Sequence, residues 1–135
     1  MFYVFPLTIP ASTPETAKQI TTLELARGTV RRVNVEFPAG HVGLTHLFLR
    51  RGLYQVWPSN PEANFKSSNE TISWDDDYKL DTQPYRFVAY AWNDDDTYEH
   101  TITVRLQLEP LAVTTSVFEE IKSLLSWGAA PAEGT

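Results

Sequence analysis

Residues 85–108, YRFVAYAWNDDDTYEHTITVRLQL, decide the fold. In the second half His100, Ile102, Val104, Leu106 and Leu108 fall on one side, with Thr101, Thr103, Arg105 and Gln107 on the other. This is the two-residue period of a half-buried strand. The first half, Phe87 to Trp92, is apolar on both sides. A strand of that kind needs core on one face and a loop, helix or partner subunit on the other. Between the halves, Asn93-Asp94-Asp95-Asp96-Thr97 is rich in residues that bend the chain through their own side-chain hydrogen bonds. The stretch therefore reads as a hairpin of two long strands joined by an acidic turn.

Working outward, Tyr3, Phe5, Leu7 and Ile9 alternate with Val4, Pro6 and Thr8 in a first strand. Pro6 confines that strand to a sheet edge or to an arm lying on another chain. Thr21, Leu23 and Leu25 mark a second strand, and Val33, Val35 and Phe37 a third, with Gly28 between them as a tight hairpin or a bulge. Residues 44–50 form a fourth strand, turned by Arg51-Gly52 into a fifth at 53–57, which Pro58 and Pro61 stop. A polar loop follows in which only Phe65 is strongly apolar. Residues 70–74 read as a short sixth strand, with Asp75-Asp76-Asp77 as its turn. Eight strands with such regular turn signals predict a two-sheet antiparallel sandwich of jelly-roll type over residues 1–110, with a closed barrel as the alternative. After Pro110 the period changes. Ser116 to Glu119 fits a capping box, and Val117, Ile121, Leu124 and Leu125 follow at helical spacing. An amphipathic helix is expected within 111–128 and a flexible tail over 129–135. A helix that short must bury its apolar stripe on its own sandwich or in a partner's groove.

Composition narrows the function classes. The chain of 135 residues has no cysteine, so disulfides and thiolate metal sites are excluded. Its start lacks the basic region of a signal peptide, and no apolar run is long enough to span a bilayer. The net charge of −6 argues against nucleic acid as the main partner. That charge is segregated: residues 70–100 carry nine acids against two bases, and residues 27–51 carry five arginines against one acid. Such segregation suits either solvated strand faces or docking between copies.

Three groups of residues are candidate sites. His41, His46 and His100 lack the H-x-H spacing of a cupin metal strand, and no nucleophile stands at a catalytic spacing, so no enzyme is expected. Asp75, Asp77, Asp94 and Asp96, from two aspartate triplets, are the calcium candidates, although neither triplet has the spacing of a known loop. Trp57, Trp74 and Trp92 each end an expected strand. On one shared rim they would form an aromatic glycan-binding surface; otherwise they seal the ends of the sandwich or sit at subunit interfaces.

The stretch FPAGHVGLTHLFLRRGLYQVWPSNP (37–61), together with YAWNDDDTYEHTITVRL (90–106), resembles a group of small, uncharacterised β-sandwich proteins found in phage and environmental microbial genomes. The resemblance covers about half the chain and brings no catalytic motif, so no residue inherits a role. It implies a virion component, such as a capsid decoration or accessory shell protein, assembled in the host cytoplasm. The residues point the same way, through an edge strand at the terminus, a doubly apolar strand, segregated charge and a terminal amphipathic helix. The expected partners are copies of the chain, with a trimer favoured, and another shell protein. No nucleic acid, membrane or cofactor is expected. The expected contact residues are Tyr3, Phe5 and Leu7, with Val117, Phe118, Ile121, Leu124, Leu125 and Trp127. The alternative function is a carbohydrate-binding or adhesion module.

Overall fold

Period-two alternation becomes two facing antiparallel sheets of four strands in a computed structural model, which describes residues 1–111. The strands are β1 (Phe2–Ile9), β2 (Gln19–Glu24), β3 (Gly28–Phe37), β4 (Thr45–Arg51), β5 (Tyr54–Trp57), β6 (Glu70–Leu80), β7 (Arg86–Asn93) and β8 (His100–Pro110). The first sheet has the order β1-β8-β3-β6 and the second β2-β7-β4-β5. The nesting is regular: β1 pairs β8, β2 pairs β7, β3 pairs β6 and β4 pairs β5. The chain is thus one long folded ribbon, wrapped so that β8 also pairs β3 and β7 also pairs β4. Inward residues of both sheets form one core that includes Val33, Val35, Phe37, Leu47, Leu49, Phe87, Ile102, Val104 and Leu106. The expected helix and tail, with Val117, Phe118, Ile121, Leu124, Leu125 and Trp127, lie outside the described residues.

Three local readings are corrected. Residues 85–108 are not a hairpin, because β7 belongs to the second sheet and β8 to the first. The acidic segment between them arches from one layer to the other, across the roughly 10 Å that separates stacked sheets. Asn93 braces this arch: its side-chain amide donates to the carbonyls of Ile9 (3.2 Å), Pro10 (3.3 Å) and Tyr98 (3.0 Å), and its Oδ1 accepts from the Asp95 N–H at 2.9 Å. Among the described residues the one connection that stays within a sheet joins β4 to β5, where Gly52 supplies the positive φ of +61° that a side chain disfavours.

Asp75 to Asp77 make no turn, since β6 runs unbroken from Glu70 to Leu80. Asp76 faces inward with Ile72, Trp74 and Tyr78, while Asp75 and Asp77 face out. Cross-strand pairing to β3 supports the acidic residues there: Arg32 Nη1 lies 2.7 Å from Asp75, and Arg31 bridges Asp77 and Glu109. The opposite charges of the two segments therefore meet inside one sheet. Gly28, finally, opens β3 after a crossover and makes no hairpin. A Cβ there would stand 2.6 Å from the Glu109 carbonyl and 2.8 Å from Leu108 Cγ. Glycine is required by close approach, and the bulge lies further on, between Val30 and Arg32.

Candidate functional site

Among the described residues four strands have an unpaired edge: β1 and β6 in the first sheet, β2 and β5 in the second. An unpaired strand presents free backbone donors and acceptors, which monomeric proteins commonly guard with charge. The β6 edge has such a guard in Asp75, Asp77 and Lys79. β1 has only Pro6 and β2 only the terminal Glu24 as guards, and β5 carries no charge. Phe2 (60% exposed) and Val4 (56%) point outward from β1, Ile20 (62%) from β2, and Leu53 (93%) and Tyr54 (80%) stand at the head of β5.

The β1 contact residues expected from sequence lie on the inward side of the strand, with Tyr3 and Phe5 half-buried. Pairing with β8 sets Tyr3, Phe5 and Leu7 opposite Leu106, Val104 and Ile102, so all three face the core. Leu7 is buried, while Tyr3 and Phe5 stack on each other at 6.1 Å and pack against the core. Phe2 and Val4, of opposite parity, are the free ones.

The three tryptophans do not share a rim. Trp57 faces inward, packs on Trp74 (6.0 Å between centroids), Tyr78 (5.6 Å) and Phe87 (4.9 Å), and donates its indole N–H to Asp76 at 2.7 Å. Phe65 stacks on Trp74 at 5.2 Å and extends the ladder of β4 by bonding Leu47 in both directions. Trp92 lies on the other side of the second sheet, opposite His46. The aspartates are likewise apart in role. Asp75 and Asp77 hold arginines, Asp94 meets His46 at 3.0 Å, and Asp96 accepts from Thr97. Among the described residues no three acidic or imidazole side chains converge as a metal site, and the four calcium candidates are not brought together.

Two clusters carry the remaining chemistry. The first lies on the outer face of the second sheet, where His46, Phe48 and Arg50 of β4 stand opposite Trp92, Tyr90 and Val88 of β7. His46 stacks on Trp92 at 4.6 Å and Phe48 on Tyr90 at 5.0 Å. Lys18 reaches over Trp92 (5.3 Å) and Phe48 (5.9 Å), and Arg50 over Phe48 (5.1 Å) and Tyr90 (5.0 Å). Each such cation–π contact is worth about 0.5–1 kcal/mol at an exposed site. This is the cover that the doubly apolar β7 requires. Gln55 shapes the neighbouring loop by donating to the carbonyls of Pro58, Asn60 and Ala63.

The second cluster closes one end of the sandwich. The His41 and His100 rings lie 4.5 Å apart, His100 Nε2 meets Asp95 at 2.8 Å, and buried His41 bonds Thr45 Oγ1. Burial, and secondarily the neighbouring His100, push the His41 pKa below the ordinary imidazole value, against the accepting Thr101 carbonyl. Asp95 is held below the usual carboxylate range, first by the Thr97 N–H, then by His100 and the Tyr98 N–H. Both groups are satisfied in place, with Thr45 and His41 sealed from solvent, so the cluster reads as a polar staple for the arch.

No family model, curated protein or solved structure matches this chain. Its function rests on its own geometry. Among the described residues no helix is long and apolar enough to cross a membrane. Sequence reasoning passed over Lys18, Phe48 and Arg50. The signal for them was the outward parity of Val88, Tyr90 and Trp92, which demanded a cover, while the residues supplying it come from other segments.

Proposed function

We propose that the protein is a jelly-roll subunit of a larger assembly, a virion shell or decoration component that acts through contacts with copies of itself and with a neighbouring structural protein. A long ribbon rolled into the orders 1-8-3-6 and 2-7-4-5 supports the jelly-roll reading, an architecture used by capsid and lectin domains alike. Because one architecture serves many functions, the fold alone does not carry the assignment. The observation that carries it is that, among the described residues, three of the four edge strands expose large apolar side chains where a row of charge would prevent pairing. No catalysis is assigned to the chain.

The test is the substitution Phe2→Lys with Val4→Lys on β1, sized by sedimentation across the micromolar range beside the unaltered chain. The unaltered chain should self-associate and the variant sediment as a monomer. Exposed substitutions of this kind shift stability by only about 0.5 kcal/mol, so the urea midpoint should hardly move. A monomeric unaltered chain that is also absent from purified particles of its source sinks the reading.

A further inference from the structure

The outer face of the second sheet holds a feature that assembly through β1 leaves unused. Two neighbouring hollows of about 420 and 320 Å3 share Lys18, Arg50, Phe48 and Glu15 in their walls, with Trp92 and Glu62 lining the first and Tyr90 the second. Phe48 and Trp92 are buried, yet their cover on this side is two long cationic side chains. Among the described residues no carboxylate pairs with either cation, and Lys18 Nζ donates to the Glu15 carbonyl at 2.9 Å.

We propose that this double hollow binds an acidic saccharide of the hexuronate class. The sugar carboxylate draws Arg50 and Lys18 off the rings, with the guanidinium fork matching it bidentately. A C–H face of the sugar then takes their place over Phe48 and Trp92, and the Glu15 carboxylate accepts from ring hydroxyls. A small inorganic anion would attract the cations but leave the rings to water. A neutral sugar would cover the rings but give the two cations no carboxylate to pair with, since Glu15 and Glu62 stand in the walls without bridging either one. Only a ligand with both an anionic group and an apolar face satisfies the whole site.

Calorimetric titration of the full chain with short oligomers of glucuronic acid, beside glucose oligomers and acetate, tests the proposal. The acidic oligomers should bind at least about tenfold more tightly than either control, the scale of one charge-assisted contact, and the affinity should fall as salt is raised. Lys18→Ala with Arg50→Ala should weaken binding at least tenfold, with the urea midpoint lowered by the lost cation–π contacts but unfolding still cooperative; if that pair fails to fold, Arg50→Gln alone should show the loss. Phe2→Lys with Val4→Lys should leave binding intact, which separates this site from the assembly contacts. Absence of saturable binding, equal affinity for glucose oligomers, or unchanged binding by the Arg50 variants would overturn it.

Discussion

Replacing Asn93 by alanine should unfasten the arch between the two layers at a cost of about 3 kcal/mol. The side-chain amide has two protons and faces three carbonyl oxygens, at 3.2, 3.3 and 3.0 Å, so one proton is shared between two of them and the amide makes the equivalent of two bonds. Its oxygen accepts one more, from the Asp95 N–H at 2.9 Å. Three hydrogen bonds at about 1 kcal/mol each give the figure, and the residue is fully buried, so water cannot readily replace them. Against a typical stability of about 5–15 kcal/mol, the loss is large. It corresponds to a melting shift on the order of 10 °C in a chain of this size. Urea unfolding measures it, with the midpoint falling while the slope stays constant. Asn93→Asp sharpens the test, because it keeps the shape but aims a carboxylate at the same three carbonyls. It should be worse than alanine at neutral pH and recover in part as the acid protonates. An alanine variant within about 1 kcal/mol of the unaltered protein would refute the brace, as would an aspartate variant no worse than alanine.

Two further perturbations follow from the same end of the sandwich and from the opposite strand termini. His41 has a lowered folded pKa, so between its ordinary value of about 6.5 and that lowered value the unfolded chain binds more protons than the folded one. Stability should therefore fall as pH drops below about 6.5, and urea midpoints of His41→Gln should lose that slope. Asp95, with its folded pKa also lowered, adds stability that is present above the unfolded carboxylate value and is lost as pH falls through the folded one. The His41→Gln protein should keep this more acidic limb. Gly28→Ala places a methyl 2.6 Å from a backbone carbonyl that cannot retreat without breaking the β3–β8 ladder. A loss of about 2 kcal/mol or more by thermal unfolding is expected, and a neutral result would contradict the close approach.

The strands were legible because alternation is local, whereas layer membership is not. Val33, Val35 and Phe37 announce an inward face wherever the strand is placed, and β3 duly buries all three. The turn Asn93–Thr97 bends the chain equally well for a hairpin or an arch. The discriminating signal was present but is relational. β8 turns Thr101, Thr103, Arg105 and Gln107 outward, and β7 turns out Val88, Tyr90 and Trp92. Hairpin partners share an outer face and hence an environment, so a polar and an aromatic outer face on consecutive strands point to different layers. The aspartate triplet at 75–77 misleads for a related reason. Acids disfavour strands in isolation, but Arg31 and Arg32 on the neighbouring strand supply partners that composition does not reveal as adjacent. The site on the second sheet was half legible: β7 called for a cover, but Lys18 and Arg50 come from segments far away in the chain.

The two-layer architecture also separates the two proposed activities. Phe2 and Val4 lie on β1, the edge of the first sheet, while Arg50 and Trp92 project from the outer face of the second. The buried layer between them is packed by side chains of both sheets, with Ile102, Val104, Phe87 and Leu49 fully buried. A copy added to the β1 edge extends the first sheet in its own plane and leaves the far face open. Energies at sites that share no partners add to within about 0.3–0.5 kcal/mol. Combining Val4→Lys with Arg50→Gln should therefore give the sum of the two single effects, monomer formation from one and lost acidic-sugar affinity from the other. Coupling well beyond that margin would mean that neighbouring copies build the sugar site jointly, and the hollow would then have to be described as part of the assembly contact.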